Sequence, residues 1–266
     1  MRVLPIVFGA ALALASLGAT PALAQDAPAP ADAGDKVDAG QNVAKADDTA
    51  AAAAEEAEEP AKPFTFEFDL AGVTDYRFRG ISLSNKRPAF QPSFTVSHES
   101  GLYASVWGSN LAENDGDSIE VDLIAGFAKS AGGFDFDVNA TYYAYPGAHD
   151  LNYWEFIGTV SHAVGPATIG GTFAYTPKQD DAAPKRGIYY AINGELPIGE
   201  TGIALTASYG IEDNAFYSHK RDWSLGVTAD LFGVSFGAAY VDTSHTDHDP
   251  LGKAAIVLSV SHAFEF

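Results

Sequence analysis

The chain has no cysteine among its 266 residues. Disulfides are thereby excluded as a source of stability, and so are thiolate metal sites and thiol catalysis. Bases are scarce: 15 Lys and Arg stand against 35 Asp and Glu, for a formal net charge of −20. A chain this acidic is excluded from the nucleic-acid binders, which need a basic surface. Long apolar runs are scarce as well. Beyond Gly18 no stretch approaches the roughly 20 consecutive apolar residues of a membrane-spanning helix. Alternating strands can cross a bilayer without such a run, because the alternation averages out in any window.

What is present begins with an export pattern. Arg2 precedes the apolar stretch Val3 to Gly18, and Ala22-Leu23-Ala24 has the small-x-small form of a cleavage site. Residues 1–24 therefore read as a secretory signal peptide, with Gln25 as the mature start. Residues 25–63 are rich in Ala, Asp, Glu and Pro and contain no aromatic residue. Such a segment buries too little surface to offset the cost of ordering the chain, so a disordered acidic periplasmic linker is expected.

From Phe64 the composition changes. Phe64, Phe66, Phe68, Leu70, Thr74, Tyr76 and Phe78 alternate with Thr65, Glu67, Asp69, Ala71, Val73, Asp75, Arg77 and Arg79. A period of two held this long predicts one extended strand. Twelve such segments are expected, beginning near Phe64, Arg87, Leu102, Ser118, Phe134, Tyr153, Ala167, Gly187, Gly202, Lys220, Gly233 and Lys253. Their connections alternate strictly. Short turns at Ser100-Gly101, Ala131 to Gly133, Gly165-Pro166, Ile198 to Thr201 and Leu231-Phe232 interleave with longer polar loops such as Gly80 to Lys86 and Leu111 to Asp117. Short periplasmic turns and longer external loops are the pattern of an outer-membrane barrel. A soluble β-sandwich would have shorter strands, about five or six residues each. The expected fold is all-β, a transmembrane antiparallel barrel of about twelve strands over residues 64–266. An even number of strands puts both ends on the periplasmic side.

The final segment keeps its alternation to the end, with Ile256, Leu258, Val260, His262, Phe264 and Phe266 on one face. A terminal Phe on such a strand resembles the C-terminal assembly signal of outer-membrane proteins. Phe264 and Phe266 are its candidate residues, and the barrel assembly machinery is the expected partner. The tripeptide Val-Ser-His recurs at Val96, Val160 and Val260, each time at the periplasmic end of a descending strand with His in the lipid-facing parity. These imidazoles read as headgroup-level girdle residues, because they are too far apart around a barrel to share an ion.

With the apolar parity outward, the inward ionisable residues fall into two groups near the outer mouth. Asp75, Arg77, Arg79, Arg87 and Lys253 lie on adjacent strands across the closure. Glu120, Asp122 and Glu155 lie opposite, with Tyr143 and Tyr145 between them. A basic wall facing an acidic wall is the arrangement of a selective constriction, and equally of ion pairs that plug a narrow lumen. Catalysis has little support, since no inward Ser, His and acid fall at one height. The loop run His245-Thr246-Asp247-His248-Asp249 groups possible metal ligands but reads as a solvated turn. No cofactor and no metal are expected.

Thr74 to Asn110 resembles the TorF family of porin-like outer-membrane proteins. The likeness is carried by Asp75-Tyr76-Arg77-Phe78-Arg79-Gly80-Ile81-Ser82, by Arg87-Pro88-Ala89 with Gln91, and by His98-Glu99-Ser100-Gly101 leading to Trp107-Gly108-Ser109-Asn110. It implies a barrel with a pore-like role and brings no catalytic residues or substrate. The expected function is passive diffusion of small hydrophilic solutes or ions across an outer-membrane lipid bilayer. A lumen-plugged structural or adhesion barrel and a barrel enzyme are the alternatives.

Overall fold

The computed structural model describes residues 63–114, 117–179, 182–246 and 249–266. The signal peptide expected over residues 1–24 and all but the last residue of the acidic linker expected over residues 25–63 lie outside the described residues, as do Asp247 and His248.

In chain order the strands are β1 (Phe64–Val73), β2 (Arg77–Phe78), β3 (Ile81–Ser82), β4 (Ala89–His98), β5 (Leu102–Asn114), β6 (Asp117–Ala131) and β7 (Phe134–Ala144). They continue with β8 (Tyr153–Val164), β9 (Ala167–Thr176), β10 (Gly187–Pro197), β11 (Ile203–Asp213), β12 (Lys220–Leu231), β13 (Val234–Ser244) and β14 (Ala255–Glu265). Twelve of them form a closed antiparallel barrel in which each pairs with its sequence neighbour and β1 closes against β14; β2 and β3 form a separate two-stranded sheet. At the seam Phe68 lies opposite Phe264, and the Phe266 amide donates to the Phe66 carbonyl at 2.9 Å.

Side chains alternate between the barrel's two faces as the strand pleat requires. The outer face is apolar and open, with Leu225 63% and Ile256 70% exposed and a belt of further Phe, Leu, Ile and Val around the wall. A belt of that extent has no soluble explanation, so lipid is the solvent outside and the barrel is transmembrane. Near the short turns the three repeated histidines lie on β4, β8 and β14. Their rings pack on Phe64, Phe134 and Phe264 at 4.8, 4.5 and 4.3 Å between centroids. His162 and His262 also reach across to the turn carbonyls of Gly133 and Gly233, at 2.7 and 2.5 Å.

Three boundaries differ from the sequence expectation. The first strand ends at Val73 instead of running through Arg79. Tyr76 and Phe78, expected on the lipid face, are buried inside the barrel. The stretch expected as a loop from Leu111 to Asp117 is largely strand, because β5 and β6 continue past a register shift between Asn110 and Asn114. Lys253, expected at the head of the last strand, instead follows a short 3-10 turn, Pro250–Gly252, and is exposed.

Candidate functional site

The end of the lumen beneath the long loops is filled by the chain's own first loop. After Val73 the backbone leaves the wall and folds inward. Arg77 pairs with Ser82 and Phe78 with Ile81, leaving Arg79-Gly80 as a two-residue turn with φ of +45° and +83°. Positive φ at both central residues is the signature of a type I′ hairpin, whose twist matches its strands. Gly80 has a second reason to be glycine, since a Cβ there would meet Thr243 Cγ2 at 2.2 Å.

Asp75 organises the base of this hairpin. Its carboxylate accepts from Ser82 Oγ at 2.5 Å and from Arg77 Nε at 2.8 Å. Arg77 also donates to the carbonyls of Gly80 and Lys253, at 3.0 and 2.9 Å. Ser84 Oγ accepts from the Tyr76 amide at 2.9 Å. These local bonds compete with continued wall pairing, which is why an unbroken alternation does not yield an unbroken strand.

Arg79 at the hairpin tip reaches the opposite wall. Its guanidinium donates to Glu155 Oε2 on β8 at 2.8 Å and to Glu212 Oε1 on β11 at 2.9 Å. It lies 4.4 Å from the Phe78 ring centroid and 4.2 Å from that of Tyr189 on β10. Tyr189 can lie flat there because Gly210 faces it; a Cβ at Gly210 would meet the Tyr189 hydroxyl at 2.3 Å. Burial opposes the charge on Arg79, but the Glu155 and Glu212 carboxylates outweigh it and hold the guanidinium well above its ordinary pKa. Glu155 is oriented by Thr176 Oγ1 at 2.9 Å and Tyr143 hydroxyl at 3.1 Å. Glu212 is shared with Lys220 Nζ at 2.9 Å, and Lys220 also donates to the Arg79 carbonyl at 2.5 Å.

A second contact couples hairpin and wall. The hydroxyls of Tyr76 and Tyr145 both donate to Glu120, at 3.0 and 2.9 Å. Burial, with Glu120 and Asp122 alongside, pushes the Tyr76 phenol well above its usual pKa. Asp122 Oδ1, Asp222 Oδ2 and Arg77 Nη2 are buried without a hydrogen-bond partner.

Of the residues expected at a constriction, Asp75, Arg77, Arg79, Glu120, Asp122 and Glu155 are buried together in this region. Arg79 and Glu155 come from opposite groups and meet directly. Arg87 and Lys253 do not join them: Arg87 stands exposed just before β4, and Lys253 contributes only its carbonyl. Glu212, Lys220, Asp222 and Tyr189 belong to the network and were not expected. Parity alone marks them, as Lys220, Asp222 and Ser224 share one face of β12 opposite Glu212, Gly210 and Ser208. Of the grouped loop residues His245 to Asp249, Asp249 accepts from the Tyr217 hydroxyl at 3.2 Å and caps Leu251 at 2.8 Å.

Below the hairpin the lumen changes character. The inward face toward the short turns carries Glu67 and Asp69 on β1, Asp135 and Asp137 on β7, Glu195 on β10, Asp230 on β12 and Glu265 on β14. Ser93, Asn139 and Thr206 lie among them, with Ser93 donating to Asp69 at 3.1 Å and Asn139 to Asp137 at 2.9 Å. Lys129, near this end, pairs with Phe136 on the outer face. Among the described residues no Lys or Arg faces this half of the lumen.

Comparison with solved structures returns porins. A KdgM porin aligns with a TM-score of 0.53 at 6% identity, covering 75% of this chain and 99% of that one. The same porin in complex with disordered oligogalacturonate aligns at 0.51 with 7% identity, covering 75% and 99%. A NanC porin aligns at 0.51 with 9% identity, covering 74% and 98%. At such identities the likeness is one of fold. No curated protein matches by sequence. A family model described as a bacterial protein of unknown function, Gcw_chp, matches residues 57–264.

Proposed function

The chain belongs to the Gcw_chp family of bacterial proteins of unknown function, and we propose that it is an outer-membrane channel for small hydrophilic solutes or ions, cations ahead of anions. The short turns face the periplasm in this reading, as they do in outer-membrane barrels generally. Residues 1–24 direct export, residues 25–63 form a periplasmic linker, and Phe264 and Phe266 engage the assembly machinery. The porin-like role implied by the TorF resemblance fits the same reading.

The observation that carries the proposal is the carboxylate-lined half of the lumen below the hairpin, which no Lys or Arg among the described residues faces. A sealed, purely structural core has no use for so many inward carboxylates without a cationic partner. Fixed charge of one sign along a pore raises the local concentration of counter-ions and steers them inward. A polyanion such as the oligogalacturonate seen with the KdgM porin would be repelled by this lining, so the solute class differs despite the shared fold. The hairpin with Arg79, Asp75 and Arg77 against Glu120, Asp122 and Glu155 is the constriction. Arg87 and Lys253, exposed at the rim, act on approach.

Planar-bilayer recording of the full chain under a salt gradient tests this. Discrete conductance steps are expected, with a reversal potential of cation sign. Converting Glu67 and Asp69 to their amides, with Glu265→Gln, should move that potential toward zero; an unmoved potential would contradict the steering role. The sealed-barrel reading is favoured by one observation, the fully buried hairpin with its ion pairs. It predicts silence both from the native chain and from Arg79→Ala.

A further inference from the structure

The pocket that holds Arg79 is more specialised than closure requires. An apolar hairpin tip would seal a lumen without desolvating charges, and buried ion pairs often stabilise no better than packed apolar groups. Here the barrel wall supplies what a guanidinium needs. There are two carboxylates from different strands at 2.8 and 2.9 Å, and an aromatic face at 4.2 Å. Glu155 is held by Thr176 and Tyr143 as well, and Gly210 leaves room for the Tyr189 ring. The group that fills this pocket sits on a strained tether, because Arg79 is a long, Cβ-bearing residue at φ +45° where turns of this type favour Asn, Asp or Gly. Among the described residues, the charged side chains of the lumen that leads to it from the other side are all carboxylates.

We propose that the Glu155–Glu212–Tyr189 pocket is a recognition site for guanidinium-bearing solutes, occupied in cis by Arg79 and handed over to the solute when the hairpin is displaced. This rests on the channel reading and names its solute class. Arg79 is then a tethered stand-in for the cargo. Tethering gives it an effective concentration in the millimolar range for a short link, so free solute at comparable concentration competes. Planar delocalised charge with several N–H donors fits paired carboxylates and an aromatic face better than a compact ammonium does.

The test is chemical complementation in planar bilayers, on full-length chains first shown to be folded by circular dichroism and by resistance to mild detergent unfolding. Arg79→Ala is expected to conduct more than the native barrel. Guanidinium chloride at millimolar concentration, but not sodium chloride at equal ionic strength, should then reduce that conductance saturably. Arg79→Ala/Glu155→Gln should need about tenfold more guanidinium for half-block, the loss of one charge-assisted hydrogen bond. Arg79→Lys keeps a cation in the lumen if Arg79→Ala does not fold, and it should show the same guanidinium-specific block. If the variants conduct and guanidinium acts no differently from sodium, the inference falls and the channel stands. If every folded variant is silent, the channel reading falls and takes the inference with it.

Discussion

Single residues set the geometry of the lumen. Gly80 combines a positive φ with a wall contact that excludes any Cβ. Gly80→Ala should therefore dislodge the hairpin tip while leaving the twelve-stranded wall paired. The expected signs are increased conductance and faster proteolysis within residues 74–88, with barrel circular dichroism unchanged. Gly210→Ala acts one step further away, pushing Tyr189 off the Arg79 guanidinium and loosening the same tip. At this scale the sequence was readable in part. Parity placed Glu120, Asp122 and Glu155 inward, because a strand buried on one face repeats every second residue. It also placed Tyr76 and Phe78 outward, which the structure reverses. The turn signal at Arg79-Gly80 was weak because type I′ turns are usually marked by Asn-Gly or Asp-Gly, and Arg in the first position disguised it. The contact between Arg79 and Glu212 joins residues far apart in sequence and was invisible without the closed wall.

Elements were the most legible scale. Alternation and turn residues located all twelve wall strands, each within two residues of its observed start. The departures lie at strand ends and have two causes. Where side chains offer the backbone other partners, as Asp75, Ser82 and Ser84 do, a strand pattern stops being a strand. Where two strands keep pairing beyond the bilayer, as β5 and β6 do, a polar loop pattern becomes hairpin. The outer belt makes its own prediction. Leu225 lies midway along β12 and is open to lipid. Leu225→Arg should cost about 2–4 kcal/mol, the depth-dependent penalty for a cation on a barrel's lipid face. Urea titration of the barrel refolded into vesicles would read it. A penalty near zero would mean the belt does not sit in hydrocarbon.

The whole molecule combines a sealed seam, an apolar jacket and a lumen of two unlike halves. The outer half is a buried network of acids, bases and tyrosines, bonded to one another except at Asp122 Oδ1, Asp222 Oδ2 and Arg77 Nη2. The inner half is a vestibule of carboxylates. Net charge of the chain says little about selectivity by itself, since exposed charge is screened over about 8–10 Å at moderate salt. Carboxylates lining a narrow lumen are screened less, so cation preference should weaken as salt rises without vanishing. The proposed channel also separates two quantities that one variant can tell apart: in that reading the hairpin sets how much current flows, and the vestibule sets its sign. The most direct test is the reversal potential of the native chain and of Arg79→Ala, recorded side by side across a salt gradient. Larger steps in Arg79→Ala, with cation sign in both, are what a hairpin-gated cationic channel predicts. Folded barrels that stay silent in both, or a reversal potential of anion sign, would contradict it.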